Sequence, residues 1–300
     1  MVKVLTIVGP TGVGKTEVSF LLAKRHNLEI ISADSRQIYQ GMDIGTAKPS
    51  KEMQKEVRFH LIDIIPPDKV FNAQDFALRA QKIMDRLSEE GKGFLICGGS
   101  GLYIKAIFNP LARIPRVSPE IRAELKKRNL TDLYSELTLC DPVAAQKIHP
   151  RDRQRIIRAL EVFYQTKRPL SSFFQEKGEE PAYEPFYIGL CLPRKLLYKR
   201  IEERLERMIR EGFIEEVKRL LSSGYSPDLY AFNALGYKEM MRYLKGETSL
   251  EEAIRIGKKK IKEYARRQLT WFKREVSFWL LNYETEKTVS EIERVFPFAE

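Results

Sequence analysis

The sequence is sparing with the residues that build metal cages and covalent cross-links. Its three cysteines, Cys97, Cys140 and Cys191, lie far apart with no Cys-x-x-Cys pair, which excludes a zinc ribbon or a disulfide framework as the organising device. Its three histidines, His26, His60 and His149, are equally scattered, so none is assigned to a metal or to catalysis. No run of 18 apolar residues occurs, and no membrane span is expected. The opening Met1-Val2-Lys3-Val4-Leu5 lacks the long apolar stretch and small-residue cleavage site of a secretory signal and reads as a strand, so the expected location is the cytoplasm. Internal repeats and low-complexity segments are missing too. What is there is a chain of 300 residues, 43% apolar and 31% charged, enough for one large or two smaller domains with a proper core. The net charge is +11, most of the surplus lying after residue 110. Such a surplus attracts polyanions such as nucleic acid, although the same charge spread over helices would serve solubility alone.

The pattern of apolar residues sorts the chain into two parts. Lys3–Val8 is a short apolar strand running into glycines, and helical spacing follows from Thr16 through Val18, Leu21 and Leu22. Residues 28–33 (LEIISA) and 93–97 (GFLIC) read as further strands, apolar throughout as buried parallel strands are. An amphipathic helix over 73–90 separates them. Strand, helix, strand, helix, strand predicts right-handed βαβ units, hence an α/β fold with a parallel sheet. Between 119 and 175 the period is helical, and the next strand is 186–192 (FYIGLCL). The expected organisation is therefore an α/β core of 1–112 and 186–300 interrupted by a helical insertion, 113–185. Two more amphipathic helices are predicted over 194–221, with Leu197, Ile201, Leu205, Met208 and Ile209 on one face, and over 249–274, which is unusually basic.

Five motifs carry chemistry. Gly9-Pro10-Thr11-Gly12-Val13-Gly14-Lys15-Thr16 matches the nucleotide-binding P-loop, between a strand and a helix as that loop requires. Its backbone N–H groups and the helix N-terminus cradle a diphosphate, Lys15 adds a point charge, and the Thr16 hydroxyl is a ligand for Mg²⁺. The loop alone implies diphosphate or ATP binding without saying what becomes of it. Asp34-Ser35-Arg36-Gln37-Ile38-Tyr39 begins where strand 28–33 ends, on the ligand-binding edge of an open α/β sheet. Asp34 there is a Mg²⁺ ligand of the kinase kind, a general base beside groups that read a purine edge, or a turn residue; spacing does not choose. Gly98-Gly99-Ser100-Gly101 places a glycine turn and a hydroxyl where phosphoanhydride hydrolases often carry an acid, which speaks against hydrolysis. Gln154, Arg155, Ile156, Ile157 and Arg158 follow Asp152 in a helix whose Arg155 and Arg158 share a face suited to phosphate or to surface ion pairs. Finally Lys258-Lys259-Lys260, Lys262, Arg266 and Arg267 precede Trp271-Phe272, cations beside aromatics that suit loop RNA, with core packing the favoured expectation for the two rings themselves.

In this order the motifs resemble the tRNA dimethylallyltransferase family, also called tRNA isopentenyltransferases. The likeness runs over nearly the whole chain: GPTGVGKT at 9–16, DSRQIY at 34–39, DIGTAKP at 43–49, HLID at 60–63, GGSGLY at 98–103, DRQRIIRALEV at 152–162, ALGYKE at 234–239 and YARRQLTWF at 264–272. The resemblance implies a nucleotide-kinase-like P-loop core with a helical insertion that clasps a tRNA anticodon stem-loop. It implies transfer of a dimethylallyl group from dimethylallyl diphosphate to N6 of the adenosine 3′ of the anticodon, in tRNAs that read codons beginning with U, with Mg²⁺ on the leaving diphosphate. Carried over residue by residue, Asp34 matches the base. Ser35, Arg36, Gln37 and the 154–158 segment match positions holding the flipped adenosine and its neighbours, and Arg122 with Asn233, Ala234, Leu235, Gly236, Tyr237 and Lys238 match further RNA contacts. Ser100 stands where many members have threonine and keeps the hydroxyl. The diphosphate arginine is Arg200 or Arg204. The chain lacks the cysteines of the C-terminal zinc finger in longer eukaryotic members and resembles the short bacterial form. No protein partner is implied, and a monomer is expected. Three rival readings are an adenylate isopentenyltransferase acting on free adenine nucleotide, which the helical insertion and basic helix disfavour, a P-loop kinase of a small metabolite, which would need an arginine-bearing lid not evident here, and a non-catalytic RNA-binding NTPase, which would not explain Asp34 paired with a glycine turn lacking an acid.

Overall fold

A computed structural model describes residues 1–109, 114–115, 117–174 and 182–298. The chain divides into two compact units, one of Met1–Asn109 with Pro181–Glu300, the other of Pro110–Glu180.

The first unit is built on a six-stranded sheet of β1 (Val2–Val8), β2 (Glu29–Ala33), β3 (Phe59–His60), β4 (Phe94–Gly98), β5 (Tyr183–Cys191) and β6 (Trp279–Leu281), in spatial order β3-β2-β4-β1-β5-β6. Every pairing is parallel. The strands are apolar without alternation because helices cover both faces: Val4, Leu5, Ile7, Val8, Ile30, Ile31, Leu95 and Ile96 are all buried. Helices α1 (Lys15–Arg25), α2 (Lys51–Glu56), α3 (Ala73–Glu89) and α4 (Gly101–Phe108) belong to the first half of this unit. An Asn72–Asp75 capping box starts α3.

The register positions the motifs. Gly98 lies opposite Val8 on β1 and opposite Ala33 on β2. The carboxyl ends of three neighbouring strands therefore finish level, and the P-loop, Asp34 and Gly99-Ser100 leave the same edge of the sheet side by side.

The second unit is helical among its described residues: α5 (Pro119–Lys127), α6 (Leu130–Cys140), α7 (Pro142–Lys147), α8 (Arg153–Thr166) and α9 (Leu170–Phe173). Its core gathers Leu125, Leu133, Leu137, Ile156, Ile157, Leu160 and Phe173. After β5 the chain adds α10 (Arg194–Arg210), α11 (Phe213–Ser222), a 3-10 turn (Tyr230–Asn233), α12 (Tyr237–Leu244), α13 (Leu250–Phe272) and α14 (Thr285–Val295) to the first unit.

Three features depart from the sequence expectation. The single helix expected over 194–221 is two, broken at Gly212, whose φ of +100° belongs to the left-handed region that side chains avoid. The apolar spacing carries across the break through Phe213, Val217 and Leu220, which hid it. Strands β3 and β6 were not anticipated; two and three residues are too few to show a period. Of the two aromatics closing α13, Phe272 is core at 1% exposure whereas Trp271 is 37% exposed.

Candidate active site

The P-loop is a wrap of backbone between β1 and α1. Gly14 caps α1 at φ +95°, and a Cβ there would meet the Asn282 amide at 2.5 Å. Asn282 Nδ2 donates to the carbonyl of Val13 (2.7 Å), and its Oδ1 accepts from Thr288 (2.9 Å). Gln268 of α13 makes the other clamp: its Oε1 accepts the Thr11 N–H (2.8 Å) while its Nε2 donates to the carbonyl of Gly99 (2.9 Å). One amide thus ties the P-loop to the glycine turn after β4.

Inside this frame lies a cavity of about 320 Å³, to which Lys15, Thr16, Asp34, Gly98, Arg204 and Tyr264 contribute. Lys15 Nζ donates to the carbonyl of Pro10 (2.9 Å), and Arg204 Nη1 to the Thr11 hydroxyl (3.2 Å). Among the described residues neither cation has a carboxylate within ion-pair distance. Desolvation holds both below their usual pKa; for Lys15 the neighbouring Arg204 adds to the shift, and Asp34 opposes it in both. Two desolvated cations beside a loop of N–H donors form a site for a polyanion.

Asp34 follows β2 directly. Its Oδ1 accepts the N–H of Arg36 (2.8 Å), fixing the carboxylate by an Asx turn. The Ser100 hydroxyl accepts the N–H of Ser35 (3.0 Å), joining the two loops, although Ser100 itself is not among the residues lining the cavity. Tyr264 lies near both; desolvation first, then the charge of Asp34, pushes its phenol up to about 12, so it is a neutral donor at ordinary pH.

Other expected residues fall into three groups. Ser35, Arg36, Gln37, Asn233, Ala234 and Leu235 share the cavity wall with Thr11 and Lys15. Gln37 is occupied within the fold: its Oε1 accepts from Ser32 (2.9 Å) and its Nε2 donates to the Ala47 carbonyl (3.0 Å). Gly236, Tyr237 and Lys238 do not line the cavity: Lys238 is exposed, and Tyr237 is buried with its hydroxyl on Glu216 (2.6 Å). The carboxylate of Glu216 also accepts the N–H groups of Asp43 (2.8 Å), Ile44 (2.7 Å) and Gly45 (3.1 Å), so it anchors the DIGTAKP loop. Of the two arginine candidates, Arg204 lines the cavity, whereas Arg200 turns one helical turn away and donates to the Tyr283 carbonyl (3.1 Å).

In the helical unit, Arg122 makes a two-pronged ion pair with Glu161, and Arg158 reaches the same carboxylate at 3.6 Å. Glu161 is fully buried. Arg155 pairs with Asp152 at 3.4 Å, Gln154 is exposed, and the side chains of Ile156 and Ile157 are core. On α13, Lys258, Lys260 and Lys262 are matched by Glu206, Glu239 and Glu202, so the basic run is less free than its sequence suggests.

Sequence reasoning did not single out Gln268, Tyr264, Glu216 or Asn282. The first two lie in the YARRQLTWF segment quoted for its cations and aromatics; nothing in their spacing tells that they face the P-loop edge.

The model of the IPP transferase family matches residues 37–275. The chain is 45% identical to tRNA dimethylallyltransferase 2 of Geotalea uraniireducens, over 94% of this chain and 93% of that protein. A crystal structure of the full-length tRNA isopentenylpyrophosphate transferase of Bacillus halodurans superposes with a TM-score of 0.72 at 39% identity, covering 98% of this chain and 95% of that one. A eukaryotic dimethylallyltransferase acting on tRNA shares the fold at a TM-score of 0.82 and 23% identity, covering 100% and 81%. Among the described residues, no helix is long and apolar enough to cross a membrane. With a family match over most of its length and relatives at this identity, the chain belongs to the IPP transferase family.

Proposed function

We propose that this protein transfers a dimethylallyl group from dimethylallyl diphosphate to N6 of the adenosine 3′ of the anticodon, in tRNAs reading codons that begin with U. The observation that carries the reading is the shared cavity: Lys15, Thr16 and Arg204 furnish a diphosphate site, and Asp34 stands in the same cavity as a proton acceptor. The allylic C–O bond breaks as the N6–C bond forms, the diphosphate leaving onto the P-loop and the N6 proton passing to Asp34. Ionisation of an allylic carbon needs charge stabilisation and alignment more than covalent help, which suits two desolvated cations and a fixed carboxylate. Ser100 and Tyr264 supply hydroxyls beside Asp34 that orient the acceptor amine.

Mg²⁺ fits the donor set. Thr16 stands in the first turn of α1 and lines the cavity, so its hydroxyl, the diphosphate oxygens and water would hold the ion. When bound, it offsets the charge growing on the leaving group. The helical unit, with the 233–238 segment, is read as the tRNA anticodon stem-loop contact, and the protein as a cytoplasmic monomer. The test is incubation with dimethylallyl diphosphate, Mg²⁺ and unmodified tRNA, followed by mass analysis of nucleosides. N6-prenyl-adenosine is the expected product; its absence, with turnover of free adenine nucleotide instead, would overturn the tRNA assignment.

A further inference from the structure

The 3-10 turn before α12 presents an exposed ring at a fixed place. Ala231 and Phe232 are fully buried, and Phe232 stacks on Tyr237 with centroids 6.0 Å apart at 26°. Two buried neighbours therefore pin the backbone on which Tyr230 stands, yet Tyr230 itself is 55% exposed. Arg36 lies against it twice: its guanidinium carbon is 4.7 Å from the ring centroid, and its Nη1 donates to the Tyr230 carbonyl (2.9 Å). The same Arg36 gives its backbone N–H to Asp34. A single residue thus links the exposed ring to the carboxylate in the cavity, and the residues after the turn, Asn233 to Leu235, line that cavity.

An isolated exposed aromatic needs no explanation. This one is rigid, polarised by a guanidinium, and one residue's reach from the proton acceptor. Rings and guanidinium planes are what proteins use to hold unpaired bases of loop RNA. We propose that Tyr230, backed by Arg36, is the stacking platform for the unpaired nucleobase that adjoins the target adenosine in the anticodon loop. The inference rests on the tRNA reading above and adds to it a second base site. Because every base has a π-face, the platform tolerates any base and contributes affinity and alignment of the strand.

The test uses anticodon stem-loops carrying 2-aminopurine on either side of the target adenosine, bound to the full-length protein. Wild type is expected to quench the fluorophore at one of the two positions. Tyr230→Ala should abolish that quenching and weaken stem-loop binding roughly 5- to 100-fold, the range of one base–aromatic stack. Tyr230→Phe, which keeps the ring, should restore both, a rescue that loss of the carbonyl bond or of the turn would not give. Quenching unchanged in Tyr230→Ala, or absent from wild type although the stem-loop binds, overturns the platform. A wild-type protein that fails to bind the stem-loop at all overturns the tRNA reading itself, a distinct result.

Discussion

Two pairs of cations, one in each unit, are held in opposite ways. In the α/β unit, Lys15 and Arg204 are desolvated and, among the described residues, bonded to a carbonyl and a hydroxyl rather than to a carboxylate. In the helical unit, Arg122 and Arg158 share the buried carboxylate of Glu161 while their side chains stay 53% and 38% exposed. The first arrangement leaves positive charge only partly offset, by the nearby Asp34 and Glu17, in a desolvated place, so that an anion bound there is attracted more strongly than by an exposed pair. The second fixes the direction of two exposed guanidiniums at the cost of part of their charge. One suits stabilisation of charge that develops during a reaction; the other suits recognition of a polyanion at modest strength per phosphate.

The sharpest way to break this contrast is at Asp34. Asp34→Asn keeps size and the Arg36 bond but cannot take a proton, and single-turnover transfer should fall about 10²–10⁴-fold with donor and tRNA affinity nearly unchanged. The rate should stay low across a Mg²⁺ series; recovery at high Mg²⁺ would make Asp34 a metal ligand instead. Next comes Arg204→Ala, expected to slow transfer roughly 10²–10³-fold, as removal of a positioned charge stabiliser does. Arg200→Ala, on the same helix but bonded to Tyr283, should leave the rate within a few-fold, and equal losses would erase the distinction drawn between them.

Smaller effects are expected in the helical unit. Arg122→Ala or Arg158→Ala should leave donor binding intact and reduce the slope of log affinity for tRNA against log salt, by about 0.7–0.9 for each phosphate that the missing guanidinium would have neutralised. An unchanged slope would make the Glu161 cluster purely structural. The smallest concerns the α/β core: the Tyr39 hydroxyl is buried without a partner among the described residues, so Tyr39→Phe should leave thermal stability unchanged or raise it by up to about 1 kcal/mol. A clear loss of melting temperature would show that the hydroxyl has a partner in solution.

Much of this was legible in the sequence because it is local. A P-loop between a strand and a helix, an aspartate closing β2 and a glycine turn closing β4 are each short segments, and parallel pairing at one edge then brings them together without further information. What was not legible depends on distant approach. Arg200 and Arg204 are four residues apart on one helical face, so no periodicity separates them; only the position of Thr11 does. The Glu216 carboxylate looks like any surface acid of an amphipathic helix until the DIGTAKP loop folds over it. Lys258, Lys260 and Lys262 read as a free basic run because their acidic partners lie on other helices.

The clamps on the P-loop set an order of events during synthesis. The loop occupies residues 9–16 and leaves the ribosome well before its fasteners, since Gln268 and Asn282 bond to it across sequence separations of 257 and 269 residues. Pairings so distant form late, after the intervening loops have closed. A nascent chain can therefore own the whole phosphate-binding motif and most of the sheet while its cradle is still unfastened at both ends, and the cradle closes only once residues 268 and 282 have been made.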